Sequence, residues 1–279
     1  MQYTFSNGIY DFSKRTYLMG ILNITPNSFS DGGKYFDGKI LLDKIIADAI
    51  QMEKDGADFI DIGGESTRPG SEKISIEEEI NRVIPVIAGL KKNINIPISI
   101  DTYKSEVAEE ALKVGAEIVN DISGFKFDDK IANVTAKYNA SCILMHIKGT
   151  PKNMQLNPEY ENLVDEVYNY LSESISIAKK SSVEQIIIDP GIGFGKTLEH
   201  NLTLIRNLSV FKNLGYPILL GVSRKSFINK IYQSNADERL AGTISANVFG
   251  ITQGANIIRV HDVLENKRAA LISDKLSGK

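Results

Sequence analysis

Asp101 and Asp189 each close a short run rich in Ile, Val or Leu, and the amide Asn120 stands near the end of a third such run. A carboxylate at the end of a buried run is costly unless it is fully hydrogen-bonded. One such Asp alone reads as a cap on the next helix or as the partner of a cation. Two of them with an amide suit a flat heterocycle edged with N–H donors and a carbonyl. A 2-amino-4-oxo edge like that of guanine offers two adjacent donors to one carboxylate. A charge-assisted pair of that kind contributes roughly 1.5–3 kcal/mol, enough to select a ring.

The cations cluster elsewhere. Ser223-Arg224-Lys225 follows one apolar run, Arg259-Val260-His261 ends the last, and Arg68 lies in an early polar loop. Arg suits forked contacts with an anion and Lys suits point-charge contacts. A solvated basic rim is the plain alternative, and the clustering favours an anion site. Neither a Ser-His-Asp pairing nor a His-Glu-x-x-His helix is evident. The run DPGIGFGKT at 189–197 fails both the phosphate-loop spacing and Gly-x-Gly-x-x-Gly. It reads as a tight loop that lets backbone approach a flat ligand at Asp189. Phe194 within it packs either on that ligand or in the core. The loops 23–33 and 64–70 are polar and contain glycine, the character of lids over a site. Phe29 in the first is placed to close over a bound ring. His146 reads as satisfying a local hydrogen bond, and His200 as a structural residue near a helix start.

Eight apolar runs must position these groups: 17–23, 59–63, 98–101, 117–121, 142–146, 185–189, 218–223 and 256–261. None alternates cleanly, as expected of strands buried on both faces. Helical patterns fill the gaps at 41–54, 76–92, 105–114, 128–138, 160–180, 202–213, 227–232, 238–253 and 264–276. Ser75 with Glu78 predicts a capping box, and Pro85 a kink. Polar residues end nearly every run: Asn23, Asp61, Asp101, Asn120, Asp121, His146, Asp189, Ser223, Lys225, Arg259 and His261. An open sheet concentrates its ligand at one switch point, whereas a barrel gathers all its strand ends on one face. The fold class is therefore α/β, a (β/α)8 TIM barrel with a short N-terminal β-hairpin. The hairpin spans 2–12, its turn at Asn7-Gly8, and is expected to plug the barrel's N-terminal mouth. The whole of 1–279 reads as a single domain, 1–16 the hairpin segment and 17–279 the barrel.

Composition bounds the function. Of 279 residues, 42% are hydrophobic and 24% charged, and the formal net charge is −3. That balance gives no support to bulk nucleic-acid binding. The single cysteine, Cys142, rules out an intramolecular disulfide and a Cys-rich zinc site. It reads as a small buried hydrophobe. The polar start lacks a signal-peptide core, and no run reaches a membrane span. A cytoplasmic location and no membrane partner are the expectation.

Several motifs together resemble dihydropteroate synthase of folate biosynthesis. They are MGILNITPNSFSDGG at 19–33, DIGGESTRPG at 61–70, then Asp101-Thr102, Asn120-Asp121-Ile122, Met145-His146, DPGIGFGK at 189–196, GVSRK at 221–225 and RVHD at 259–262. The resemblance implies attack by the amine of 4-aminobenzoate on the methylene of 6-hydroxymethyl-7,8-dihydropterin diphosphate, with loss of diphosphate. It implies that Asp101, Asn120, Asp189, Lys225, Phe194 and Arg259 hold the pterin. Asn23, Arg68, Arg259 and His261 would hold the diphosphate. Thr67, Arg68, Ser223 and Phe29 would shape the aminobenzoate side. Asn23, with Asp31 a further candidate, would serve Mg2+. An arylamine nucleophile needs no covalent enzyme intermediate and no strong base, so an SN1-like displacement fits. A pterin-dependent methyltransferase barrel is the nearest rival, but it needs no diphosphate corner. A catalytically silent pterin binder would be expected to lose its loops or anion residues. A sugar-phosphate aldolase would want a Schiff-base lysine. The expected partners are small molecules and, through small residues in 238–253, a second copy in a homodimer.

Overall fold

A computed structural model describes residues 1–25, 35–36 and 40–279. Phe29 and Asp31 lie outside the described residues. The chain opens with an antiparallel hairpin, β1 (Gln2–Phe5) and β2 (Gly8–Asp11). Strands and helices then alternate: β3 (Tyr17–Asn23), α1 (Leu42–Lys54), β4 (Phe59–Gly63), α2 (Ile76–Leu90), β5 (Ile98–Asp101), α3 (Ser105–Lys113), β6 (Ile118–Asp121), α4 (Ile131–Lys137), β7 (Ser141–Met145) and α5 (Leu163–Lys180). They continue with β8 (Ile186–Asp189), α6 (Leu198–Arg206), β9 (Leu219–Leu220), α7 (Ser226–Ile231), α8 (Leu240–Gln253), β10 (Ile257–Val260) and α9 (Val263–Leu276).

The eight later strands are all parallel, in the order β8-β7-β6-β5-β4-β3-β10-β9. A parallel bridge between Ile188 and Ile218 joins the two ends and closes the barrel. Side chains alternate between two cores, which explains the unbroken apolar runs. Outward residues such as Leu18, Ile60, Ile100, Val119, Leu144 and Ile188 pack under the helices. Inward residues Met19, Phe59, Ile118, Ile143, Ile187, Leu219 and Ile257 meet Tyr3, Phe5, Tyr10 and Phe12 of the hairpin segment. The hairpin thus stops the N-terminal mouth as expected, and the Tyr3 hydroxyl donates to the Ile186 carbonyl at 2.6 Å. Cys142 is fully buried among the outward residues. No described helix is long and apolar enough to cross a membrane.

Four local expectations need correction. The hairpin turn is Ser6-Asn7, because Phe5 pairs with Gly8, and the Glu117 carboxylate accepts both the Ser6 amide and its hydroxyl, at 2.7 and 2.6 Å. The seventh barrel strand is only Leu219–Leu220, since Pro217 cannot donate to a ladder and the chain leaves the sheet at Gly221. The helix expected over 202–213 begins at Leu198 and gives way to a 3-10 segment, Leu208–Leu214. Its start is set by a reciprocal cap between Thr197 and His200, each backbone N–H donating to the other's side chain at 3.2 Å. Ser75 does cap α2, accepting from the Glu78 amide at 3.1 Å. The Glu78 carboxylate, however, turns to Arg82 and does not complete the box.

Candidate active site

The polar groups converge because the strand register lines them up. Asn23 is level with Gly63, Gly63 with Asp101, and Asp101 with Asn120 across β3 to β6. Gly63 leaves room between its neighbours: a Cβ there would stand 3.4 Å from Asn23 Oδ1 and 3.8 Å from Asp101 Oδ2. One layer deeper on β4 sits Asp61, wholly buried. Arg259 of β10 crosses the mouth to both carboxylates, Nε to Asp61 Oδ2 at 2.6 Å and Nη2 to Asp101 Oδ2 at 2.9 Å. The Asn120 amide nitrogen donates to the same Asp61 oxygen at 3.1 Å. Among the described residues, the buried Oδ1 atoms of Asp61 and Asp101 have no hydrogen-bond partner. Two carboxylates with one guanidinium leave an uncompensated acceptor surface.

Asp189, at the end of β8, forms the other wall. Its Oδ1 accepts from the Gly191 amide at 2.7 Å. A methyl on Gly221 would stand 3.8 Å from Asp189 Oδ2 and 4.0 Å from Lys225 Nζ, so acid and amine face the same space. Lys225 also donates to the Ile192 carbonyl and lies 4.6 Å from the centre of the Phe194 ring. Phe194 packs on an apolar cluster of Tyr103, Ile122, Met145, Ile147 and Met154. The pocket therefore has one apolar flank and a rim of acceptors, the lining that a flat, donor-edged ring requires.

Burial governs the charges. It pushes Asp101 up to about 7, helped by the neighbouring Asp61 carboxylate and opposed by Arg259. It raises Asp189 too, against the pull of Lys225, and it lowers Lys225 to about 8. Arg259 stays above its ordinary value despite burial, because Asp61 and Asp101 hold its charge. His261 is pushed down to about 3 by burial and then by the Arg259, Arg224 and Arg68 cations. Its amide donates to Ser223 Oγ at 3.2 Å, and its Nδ1 lies 2.9 Å from the same oxygen. With the Ser223 hydroxyl donating to Nδ1, the neutral imidazole carries its proton on Nε2, a donor without charge. Arg68 lies within electrostatic reach of His261, and Ser223 lies in contact with that ring. Thr67 is half-buried in the same loop as Arg68.

Of the strand-end residues, Asp121 faces elsewhere. The strand period of two turns Asp121 away from Asn120. Its carboxylate accepts from the Ser123 amide and hydroxyl at 2.7 Å each and from the Phe125 amide at 2.9 Å. Arg224 is held by two carboxylates beside the anion corner, where its charge also lowers His261. Its Nε donates to Asp262 at 3.0 Å, and its Nη1 reaches Asp237 at 3.2 Å.

Asp61 is one of the polar run ends visible in the sequence, but its role as the anchor of Arg259, from an inward position two residues before Gly63, is not visible there. Two features escape the sequence reading. Lys196 is 2% exposed; its amine lies 2.8 Å from His146 Nδ1 and donates to the Phe194 carbonyl at 2.9 Å. Glu65, Lys104 and Glu79 form a buried ion-pair cluster beneath the second loop; no spacing rule announces it.

Residues 19–261 match the family model described as pterin binding enzyme. The chain is 52% identical over 268 residues to the dihydropteroate synthase of Clostridium beijerinckii, covering 95% of this chain and 96% of that protein. It is 47% identical to the dihydropteroate synthase of Bacillus subtilis, with 96% and 91% covered. Among solved structures, Yersinia pestis dihydropteroate synthase with a sulfonamide drug complex superposes with a TM-score of 0.95 at 37% identity, covering 100% of both chains. The Thermus thermophilus dihydropteroate synthase in complex with 4-aminobenzoate gives a TM-score of 0.87 at 34% identity, with 99% and 100% covered.

Proposed function

The chain belongs to the pterin-binding enzyme family, among its dihydropteroate synthases, and we propose how the residues of its strand-end pocket divide the labour of that reaction. The enzyme is a transferase. It joins 6-hydroxymethyl-7,8-dihydropterin diphosphate to 4-aminobenzoate, forming 7,8-dihydropteroate and releasing diphosphate.

The observation that carries the division of labour is the pair of buried, unpartnered oxygens on Asp61 and Asp101 beside an Arg that they share. In this reading the pterin's amino and ring N–H groups donate to Asp101 and Asp189. Asn120 supports the ring edge, Lys225 donates to the ring carbonyl, and Phe194 packs against the ring. Arg259, fixed by two carboxylates, presents its flat guanidinium to the ring and its charge to the departing diphosphate. His261, through Nε2–H, and Arg68 hold the same anion. Ser223 orients His261 and, with Thr67, borders the aminobenzoate.

The carbon–oxygen bond to diphosphate breaks as positive charge grows on the methylene carbon. Ionised Asp101 and Asp189 make the ring richer in electrons and share that charge. Fixed donors at the anion corner stabilise the negative charge as it develops, without reorganising. The arylamine nitrogen then attacks the carbon, and its proton leaves to solvent. Holding both substrates in one pocket supplies the remaining advantage.

Mg2+ belongs to the proposal as a companion of the diphosphate. Among the described residues no group of three or more His, Cys, Asp or Glu side chains could hold a metal. The amide oxygen of Asn23 beside Asp101 is a hard donor of the right kind. One protein oxygen with phosphate oxygens and water completing the shell suits Mg2+. When bound, the ion offsets leaving-group charge. A homodimer is also part of the proposal, supported by the exposed Phe249, Leu271, Ile272 and Leu276 of α8 and α9.

The test supplies dihydropterin diphosphate and Mg2+ to the purified protein, with and without 4-aminobenzoate. Diphosphate release that depends on the arylamine, with matching dihydropteroate, is the expected result. Pterin binding without release would move the reading to the methyltransferase or silent-barrel alternatives.

A further inference from the structure

Glu65 opens the loop that carries Thr67 and Arg68, yet its side chain is only 5% exposed. Both oxygens are occupied. Oε1 accepts from the Tyr103 hydroxyl at 2.6 Å, while Oε2 accepts from Lys104 Nζ at 2.6 Å and from the Ile74 amide at 3.0 Å. Lys104 also donates to Glu79 Oε2 at 2.7 Å and to the Ile74 carbonyl at 2.9 Å. Tyr103 and Lys104 lie two and three residues after Asp101 in the chain. One carboxylate therefore ties the two ends of the loop, Glu65 and Ile74, to the segment that leaves β5. Between those ends the Ser71 hydroxyl reaches the carbonyls of Ser66 and Arg68, at 2.5 and 2.8 Å, and the Gly70 amide donates to the Pro151 carbonyl at 3.0 Å.

Buried charges are costly to retain, and well-packed apolar residues often stabilise a fold at least as well. A connected buried network instead selects one geometry. We infer that Glu65 is a positioning residue for the synthase reaction: its clamp on Tyr103, Lys104 and Ile74 holds Thr67 and Arg68 on the aminobenzoate and diphosphate side of the pocket. This rests on the proposed roles of Thr67 and Arg68. Pterin recognition rests on strand-end groups and on Phe194; of the clamp only the Tyr103 ring packs in the cluster with Phe194, and the Glu65 variants keep that ring.

The test compares Glu65→Ala with Glu65→Gln in the full chain. Both leave Lys104 paired one-to-one with Glu79, and Gln can keep its oxygen for the Ile74 amide while its NH2 donates to the Tyr103 hydroxyl oxygen. In Glu65→Ala the KM for 4-aminobenzoate is expected to rise at least tenfold, while affinity for 6-hydroxymethyl-7,8-dihydropterin stays within twofold. Glu65→Gln is expected to return that KM to within threefold of the parent. An unchanged KM, or an equal loss of pterin affinity, overturns the inference. Amide exchange gives a readout that needs no turnover: Gly70, Ser71 and Ile74 are expected to exchange at least tenfold faster in Glu65→Ala, with the core strands unchanged. Unchanged exchange there removes the clamp even if the reaction is as proposed. Faster exchange with an inactive parent keeps the clamp and removes the reaction reading beneath it. Should Glu65→Ala fail to fold, Tyr103→Phe, which deletes one hydrogen bond to Oε1, is expected to raise the same KM about threefold; no rise overturns the inference.

Discussion

Arg259 and Asp61 form the innermost contact of the pocket, Nε to Oδ2 at 2.6 Å, with the carboxylate wholly buried. Because Asp61 also receives the Asn120 amide at 3.1 Å, it fixes both the cation and the amide that flank Asp101. The guanidinium is thus held before any substrate arrives, and its charge is retained by two acids.

Replacing Arg259 separates its two duties. Arg259→Lys keeps a charge but cannot fork between Asp61 and Asp101. Turnover is expected to fall by about 10²–10³, the usual cost of removing a fixed donor from developing charge. Affinity for the pterin alcohol, which has no diphosphate, should fall far less. Equal losses in steady-state kinetics and calorimetry would make ring stacking the residue's main contribution.

Affinity for the dihydropterin alcohol should follow a bell-shaped pH curve. Asp101, raised to about 7, must be ionised to accept the ring donors, so binding weakens as pH falls through that value. Lys225, lowered to about 8, must be protonated to donate, so binding weakens as pH rises beyond it. Calorimetry with the alcohol avoids any titration of phosphate. Lys225→Arg should remove the alkaline limb, because Arg keeps its proton. A flat profile from about pH 6 to 9 would show that neither group titrates in the binding step.

The barrel is readable in the sequence because strands buried on both faces appear as unbroken apolar runs, each closed by a polar residue. The carboxylates, the amide and Lys225 are readable for the same reason. The side of the backbone is harder to read. Arg224 and Lys225 are adjacent, yet Arg224 has φ +55° and turns to Asp262 while Lys225 turns to Asp189. Lys196 looks like a solvated loop lysine. Gly195 at φ +65° and the nearby His146 fold it inward, a tertiary effect with no local signature. The Glu65–Lys104 pair joins residues 39 apart in the chain, and only the packed barrel brings them together.

Asp101→Asn should stabilise the fold while abolishing pterin binding. The folded value, about 7, lies above the ordinary 3.8. The folded state therefore holds the proton more tightly, and ionisation opposes folding. That cost grows as pH rises from the ordinary carboxylate range to about 7 and is fully present at pH 8. Asn removes it and leaves Asp61 paired with Arg259. A gain of roughly 2–4 °C in Tm at pH 8, about 1 kcal/mol for a domain of this size, is expected, shrinking toward pH 4. A loss of Tm at pH 8 would mean that the Arg259 contact outweighs the burial cost.

Gly191 shapes the pocket through its missing side chain. It has φ +70°, and a Cβ there would lie 1.8 Å from the His146 carbonyl oxygen. Its amide is the donor that fixes Asp189 Oδ1. Gly191→Ala must therefore displace the β8 loop, take the donor from Asp189 and shift Phe194. A loss of about 3 kcal/mol or more in denaturant unfolding is expected, together with loss of measurable pterin affinity. Gly70→Ala is the control: φ is +78°, but nothing lies within 4 Å of its Cβ. The backbone penalty alone, about 1 kcal/mol, should appear there. Similar losses in the two variants would mean that positive φ, and not the contact with His146, makes glycine necessary at 191.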